Sequence, residues 1–125
     1  MPRLAALQHA CVPDIETNLE TGLQLIAAAA ANGAKLAVLP EIHLSPFFPK
    51  EKGGDASRWA MTPDHGALAA LSAAARAHAI VVVANVYLEG EVGLRHDASP
   101  VFDADGRCLG VTRMNHIAQF DGFWE

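Results

Sequence analysis

The sequence predicts an α/β fold, in which helices cover a sheet built partly from parallel strands. Short apolar runs typical of buried strands alternate with segments whose apolar residues recur at helical spacing. Proline or glycine follows most of these segments and ends them. Apolar residues make up 51% of the 125-residue chain, which is enough for a core and too many for a disordered chain.

The first half of the chain predicts a strand, a helix and a second strand. Residues 4–12 (LAALQHACV) form an apolar run typical of a buried strand. Asp14 then stands where the N-cap of a helix belongs, and Gly33 stands where the helix ends. Residues 35–40 (KLAVLP) form the second buried strand. The helix is expected to cover the sheet with one apolar face, formed by Ile15, Leu19, Leu23, Ile26 and Ala30.

The second half adds a long loop, a helix and further strands. Residues 41–64 are irregular and rich in proline, glycine and aromatic residues, and a loop of this length usually builds a site. Thr62 is the expected N-cap of the second helix, with Pro63 at its first position. A β-branched run over residues 80–90 predicts a third strand, and residues 99–114 predict a hairpin.

Composition and motifs exclude several classes of function. The net charge of −5 and the scattered Lys and Arg residues argue against a nucleic-acid partner. No apolar run is long enough to span a membrane and no signal-peptide layout is present, so we expect a cytoplasmic protein. Cys11 and Cys108 are interpreted as small buried hydrophobic residues. The six histidines lack metal-ligand spacing and no phosphate-binding motif occurs, so neither a metal nor a cofactor is expected.

Glu41 is the candidate catalytic residue that the residues themselves suggest. It directly follows a buried strand, and open α/β sheets bind ligands at the carboxyl ends of their strands. Phe47 and Phe48 are expected to shield the carboxylate and raise its pKa, as suits a general base. A solvated loop carboxylate or a helix-cap partner are the alternatives.

Three motifs in order resemble the nitrilase superfamily of carbon–nitrogen hydrolases. The first is the opening strand, helix and strand that end in Leu-Pro-Glu, residues 39–41. The second is the hairpin VFDADGRCLGVTRMNHI, residues 101–117, and the third is DGFWE, residues 121–125. The residues of these motifs are most similar to those of the branch of the family that hydrolyses carbamoyl amines such as N-carbamoylputrescine.

The resemblance implies a fold and a set of roles. The fold is the αββα sandwich, of which this chain would supply roughly the N-terminal half, as a partial domain over residues 1–125. Glu41 matches the general base and Glu125 the second glutamate of the family. The implied substrate is a small amide or ureido compound that releases ammonia, and the implied assembly is a homo-oligomer. The implied substrate-binding residues are Phe47, Phe48 and His116.

Two members of the family's catalytic set do not carry over. Met114 occupies the position of the family's lysine, and Thr112 replaces the usual aromatic residue. The nucleophilic cysteine of the family is expected beyond Glu125. Arg113 neighbours Met114 on a strand and therefore faces the opposite side, while Lys50 lies on the long loop.

Three functions remain open at this point. The chain is part of a carbon–nitrogen hydrolase that is inactive by itself, or a non-catalytic relative that binds or regulates a partner. The least favoured alternative is an unrelated α/β binding domain whose motifs agree by chance.

Overall fold

The computed structural model describes residues 1–91 and 93–124. Two α-helices, Ile15–Ala31 (α1) and Gly66–His78 (α2), and two short 3-10 helices, Phe48–Lys50 and Ser57–Trp59, lie within these ranges. The strands of the main sheet are Arg3–Ala6 (β1), Ala34–Val38 (β2), Val81–Val83 (β3), Val86–Glu89 (β4), Arg95–Phe102 (β5) and Cys108–Arg113 (β6). A separate small hairpin consists of Gln119–Phe120 (β7) and Phe123–Trp124 (β8).

The sheet is mixed, which confirms the α/β prediction. β1, β2 and β3 are parallel neighbours, and β5 runs antiparallel to β3 and β4. β6 pairs with the other edge of β5, since Ala98 of β5 is paired with both Val86 and Arg113. β5 pairs with β3 and with β4 in the same register, so β3 and β4 lie end to end along one edge of β5. The predicted third strand over residues 80–90 corresponds to β3 and β4 together, interrupted at Ala84 and Asn85.

The first strand and the start of the second helix differ from the predictions. β1 ends at Ala6, because Asn18 of α1 binds both backbone groups of Val12 (2.9 Å and 2.7 Å) and turns the chain away. α2 begins at Gly66, and its N-cap is His65, whose Nδ1 accepts from the Ala67 N–H (3.1 Å). Thr62 instead starts a turn, in which its carbonyl accepts from the His65 N–H.

The first helix follows the prediction closely. Asp14 caps α1 by accepting from the Thr17 N–H (2.9 Å), and Gly33 follows the helix with a φ of 81°. Leu19 and Ile26 are buried, whereas Ile15, Leu23 and Ala30 are half-buried. The buried face therefore lies slightly to one side of the predicted one and is completed by Asn18, Gly22 and Ala29.

The two faces of the sheet differ in their cover. Ala37, Val82 and Phe102 share one face and are at most 5% exposed, because the helices lie over them. The opposite face, here called the open face, also carries apolar side chains, and on it Leu4 is 66% and Val38 is 40% exposed. No helix in the described part of the chain is long and apolar enough to cross a membrane.

The open face predicts self-association of the 125-residue chain. Exposed apolar surface on a sheet favours contact with another apolar surface. We expect the mass measured by sedimentation to rise with protein concentration, and Val38→Glu to reduce that rise. Leu94→Glu is the matched control, because Leu94 is also exposed (53%) but lies in the turn between β4 and β5. A concentration-independent monomer would contradict the prediction.

Candidate active site

Asn85 binds the segment after β2 with both its side chain and its backbone. The Ile42 N–H donates to Asn85 Oδ1 (2.6 Å), and the His43 N–H donates to the Asn85 carbonyl (3.2 Å). Ile42 has a φ of 48°, which is rare for a β-branched residue and persists only where the surroundings enforce it. The position of Glu41, directly before Ile42, therefore depends on Asn85.

The other end of the Asn85 amide reaches strand β5. Its Nδ2 donates to Asp97 Oδ1 (2.5 Å) and to Ser99 Oγ (3.0 Å). One amide thus joins the loop after β2, the β3–β4 interruption and β5. The polar residue in an otherwise apolar run, VVVANVYL, is the sequence signal that would have identified it.

A cavity of about 670 Å³ lies beside this network. Tyr87, Asp97 and Met114 line it and stand side by side on β4, β5 and the end of β6. Aromatic residues form much of the remaining wall, together with charged residues of the long loop. These further wall residues include Phe48, Trp59, Trp124, Lys50, Glu51, Asp55, Arg58 and Arg95.

The cavity includes some of the predicted site residues and omits others. Met114 and Phe48 line it, and the Phe48 ring lies 4.9 Å from that of Tyr87. Lys50 lines it as well, whereas Arg113 does not, as expected from the alternation along β6. Phe47 instead packs against Phe123 (5.6 Å between ring centroids).

The remaining predicted residues are solvent-exposed or not described. Glu41 is exposed, so the shielding expected from Phe47 and Phe48 is wrong for this structure. His116 is exposed and is not part of the cavity wall. Glu125 lies outside the described residues.

Neither cysteine lies in the cavity wall. Cys11 is half-buried, its thiol donates to the His43 carbonyl (3.3 Å), and burial raises the pKa of that thiol. Cys108 is exposed, which corrects the expectation that it is buried, because β6 is an exposed strand at the edge of the sheet. The raised pKa of Cys11 and the position of both thiols outside the cavity wall fit poorly with a nucleophile at this cavity.

The ring nitrogens of His9 and His43 are buried. His43 is fully buried, and its ring lies 6.3 Å from that of His9. Burial, and secondarily the charge of His9, lowers the pKa of His43 to about 3, so its ring is neutral. Within residues 1–91 and 93–124, no group of three His, Cys, Asp or Glu side chains is placed to hold a metal ion.

The sequence over nearly the whole chain places this fold in a known family. The chain belongs to the carbon–nitrogen hydrolase family, whose characteristic sequence pattern matches residues 3–125. It is 28% identical to an N-carbamoylputrescine amidase of Solanum lycopersicum over 98% of this chain, and 27% identical to that of Arabidopsis thaliana. The sequence-based assignment to the nitrilase superfamily is thereby confirmed.

A solved structure agrees with the fold. A carbon–nitrogen hydrolase from Helicobacter pylori G27 superposes with a TM-score of 0.82 at 27% identity over 97% of this chain. The chain spans 41% of the length of the two plant relatives and 42% of the Helicobacter protein. The predicted nitrilase-type α/β architecture is confirmed, and the match covers less than half of these relatives.

The Asn85 network predicts a stability effect. Asn85→Ala leaves the Ile42 N–H and the Asp97 carboxylate without partners, and buried unpaired groups of this kind cost about 1–3 kcal/mol each. We expect a loss of about 2–4 kcal/mol in the free energy of unfolding, measured by urea denaturation. Ser99→Ala removes one acceptor only and should cost about 1 kcal/mol. Equal losses of unfolding free energy in Asn85→Ala and Ser99→Ala would contradict the conclusion that Asn85 holds this network together.

The buried His43 predicts a pH dependence. Its pKa is lowered on folding from 6.5 to about 3, so between these values the unfolded chain binds a proton that the folded chain does not. Stability therefore falls as the pH falls through this window, by up to about 1.4 kcal/mol per pH unit from this residue.

The test compares unfolding curves between pH 7 and pH 4. His43→Phe should lose this part of the pH dependence, whereas His78→Gln, which alters an exposed ring at the end of α2, should keep it. An unchanged slope in His43→Phe would show that the ring is not held neutral.

Proposed function

We propose that the protein acts, in its complete form, as a hydrolase of amide or carbamoyl (ureido) C–N bonds, with release of ammonia. N-carbamoylputrescine is the leading candidate substrate, because both plant relatives are N-carbamoylputrescine amidases. The observation that carries the proposal is the match of the carbon–nitrogen hydrolase family over residues 3–125, with Glu41 at the carboxyl end of a parallel strand.

The proposed chemistry follows the family resemblance. Glu41 accepts the proton of a cysteine thiol, and the thiolate attacks the carbonyl carbon of the substrate. The tetrahedral intermediate collapses with loss of ammonia, and water then releases the acyl group from the cysteine. The role of Glu125 as second glutamate belongs to the same proposal.

The 125 residues are proposed to be inactive by themselves. Met114 has no hydrogen-bond donor on its side chain, and loss of one oxyanion donor typically lowers a rate by about 10²–10³. Cys11 and Cys108 both lie outside the cavity wall, so neither is placed to act as the nucleophile. The partial domain over residues 1–125, its homo-oligomeric assembly and its cytoplasmic location are part of the same proposal; the exposed apolar face of the sheet supports the assembly.

Met114 also favours a second candidate function. A nitrilase-like protein without the donor is suited to bind a ligand or regulate a partner rather than to catalyse. The coding sequence downstream of Glu125 distinguishes the two: an in-frame strand followed by a cysteine-containing turn favours the hydrolase, and a stop codon favours the binding protein.

The base assignment is tested by turnover. With the complete gene product, we expect ammonia release from N-carbamoylputrescine, and a fall of about 10²–10⁴ in kcat for Glu41→Gln, because the amide cannot accept the proton. Glu16→Gln, on the exposed side of α1, is the matched control and should keep the wild-type rate.

Two outcomes would count against the proposal. Undiminished turnover in Glu41→Gln would rule out the base assignment. Absence of ammonia release from a range of amide and ureido compounds by the complete product would favour the binding protein.

A further inference from the structure

Three side chains form a row across the sheet at the cavity. Tyr87 and Asp97 are directly paired between β4 and β5. The Met114 N–H donates to the Asp97 carbonyl (2.9 Å), which extends the β5–β6 ladder by one pair and places Met114 opposite Asp97. Directly opposed residues of antiparallel strands carry their side chains on the same face, about 5 Å apart. All three residues line the cavity.

Asp97 presents an unsatisfied oxygen in this row. The residue is only 8% exposed, and its Oδ1 accepts from Asn85 Nδ2. Its Oδ2 is buried and has no hydrogen-bond partner in the described structure. No Lys, Arg or His nitrogen of residues 1–91 and 93–124 lies within 4 Å of this carboxylate. A buried acceptor without a donor is unfavourable, so a donor supplied by a ligand would be bound there.

The Lys and Arg side chains of the cavity wall, Arg95, Arg58 and Lys50, either contact other groups or are exposed to solvent. Arg95 pairs with Glu89 (3.1 Å), and the Arg58 guanidinium lies over the Trp59 ring at 4.3 Å. Lys50 is exposed to solvent. Within the row of Tyr87, Asp97 and Met114, the charged group is therefore the Asp97 carboxylate. The Met114 side chain opposite it is apolar.

The surroundings suit a cation attached to an aliphatic chain. Phe48, Trp59 and Tyr87 line the same cavity, and aromatic faces attract cations as well as methylene groups. Met114 offers a flexible apolar contact beside the carboxylate. A lysine at position 114 would place an ammonium group next to Asp97, whereas methionine leaves that place for a ligand.

We propose that Asp97 binds the ammonium group of a small aliphatic ligand in this cavity, with Met114 and the aromatic wall in contact with its methylene chain. This inference deepens the proposed function, on which it rests for the placement of the ligand in the cavity. It assigns Asp97 a role in ligand specificity and does not involve it in proton transfer or bond cleavage.

The probe for the test is n-butylammonium, with neutral 1-butanol as the matched probe of equal chain length. Trp59 and Trp124 line the cavity, so tryptophan fluorescence reports binding without turnover. We expect saturable binding of n-butylammonium and a dissociation constant at least about tenfold higher for 1-butanol, since the butanol lacks the charge-assisted hydrogen bond.

Variants locate the binding to Asp97. Asp97→Asn should weaken n-butylammonium binding by about tenfold or more while leaving 1-butanol binding unchanged. Asp105→Asn changes the net charge equally in an exposed turn and should leave binding at the wild-type level. Met114→Lys keeps Asp97 and adds an internal ammonium opposite it, so it should also abolish the preference for the charged probe; it decides the question if Asp97→Asn fails to fold.

Three results would overturn the inference: equal binding of the two probes, wild-type binding in Asp97→Asn, or an equal loss in Asp105→Asn. The proposed function fails separately, because tryptophan fluorescence measures the binding of n-butylammonium without turnover, whereas ammonia release measures hydrolysis. In the complete gene product, intact binding with no hydrolysis would remove the hydrolase proposal alone. Hydrolysis without any preference for the charged probe would remove only the role of Asp97.

Discussion

The amide of Asn85 is the interaction on which the rest of the site depends. Carboxyl ends of parallel strands meet at one edge of a sheet, but side chains there need a fixed geometry to act together. Asn85 supplies it by accepting from Ile42 and donating to Asp97 and Ser99. The left-handed backbone at Ile42, and with it the direction in which the chain leaves Glu41, follows from that anchor.

Features set by local periodicity and capping could be read from the sequence. The Asp14 cap, the Gly33 terminus and the hairpin of β5 and β6 depend on neighbours a few residues away. The end of β1 and the start of α2 could not be read in this way, because distant partners decide them. Asn18 binds Val12 across the helix start, and it also donates to the Leu44 carbonyl (2.9 Å) of the long loop.

The candidate site also combines features that the local sequence predicts with features that distant contacts decide. Glu41 was predicted because a buried strand ends just before it, and Met114 because of a family motif; of the two, Met114 lines the cavity. Tyr87 and Asp97 were missed, since their placement requires the register of β4 with β5, which apolar alternation alone does not specify. Asn85 stands out as a polar residue within the apolar run VVVANVYL, whereas Asp97 lies in the polar start of β5, RHDASPVF, where the sequence carries no comparable signal.

Position 114 connects the family's chemistry with the electrostatics of this chain. The resemblance implies a lysine at this position in the family. In this chain, methionine lies opposite a carboxylate that has no Lys, Arg or His nitrogen within 4 Å among residues 1–91 and 93–124. A catalytic centre needs a donor for the developing oxyanion, whereas a binding site for an amine needs an acceptor. Among the described residues, the row of Tyr87, Asp97 and Met114 offers an acceptor that forms no ion pair, and this is the reason why we propose that it binds an amine rather than stabilises an oxyanion.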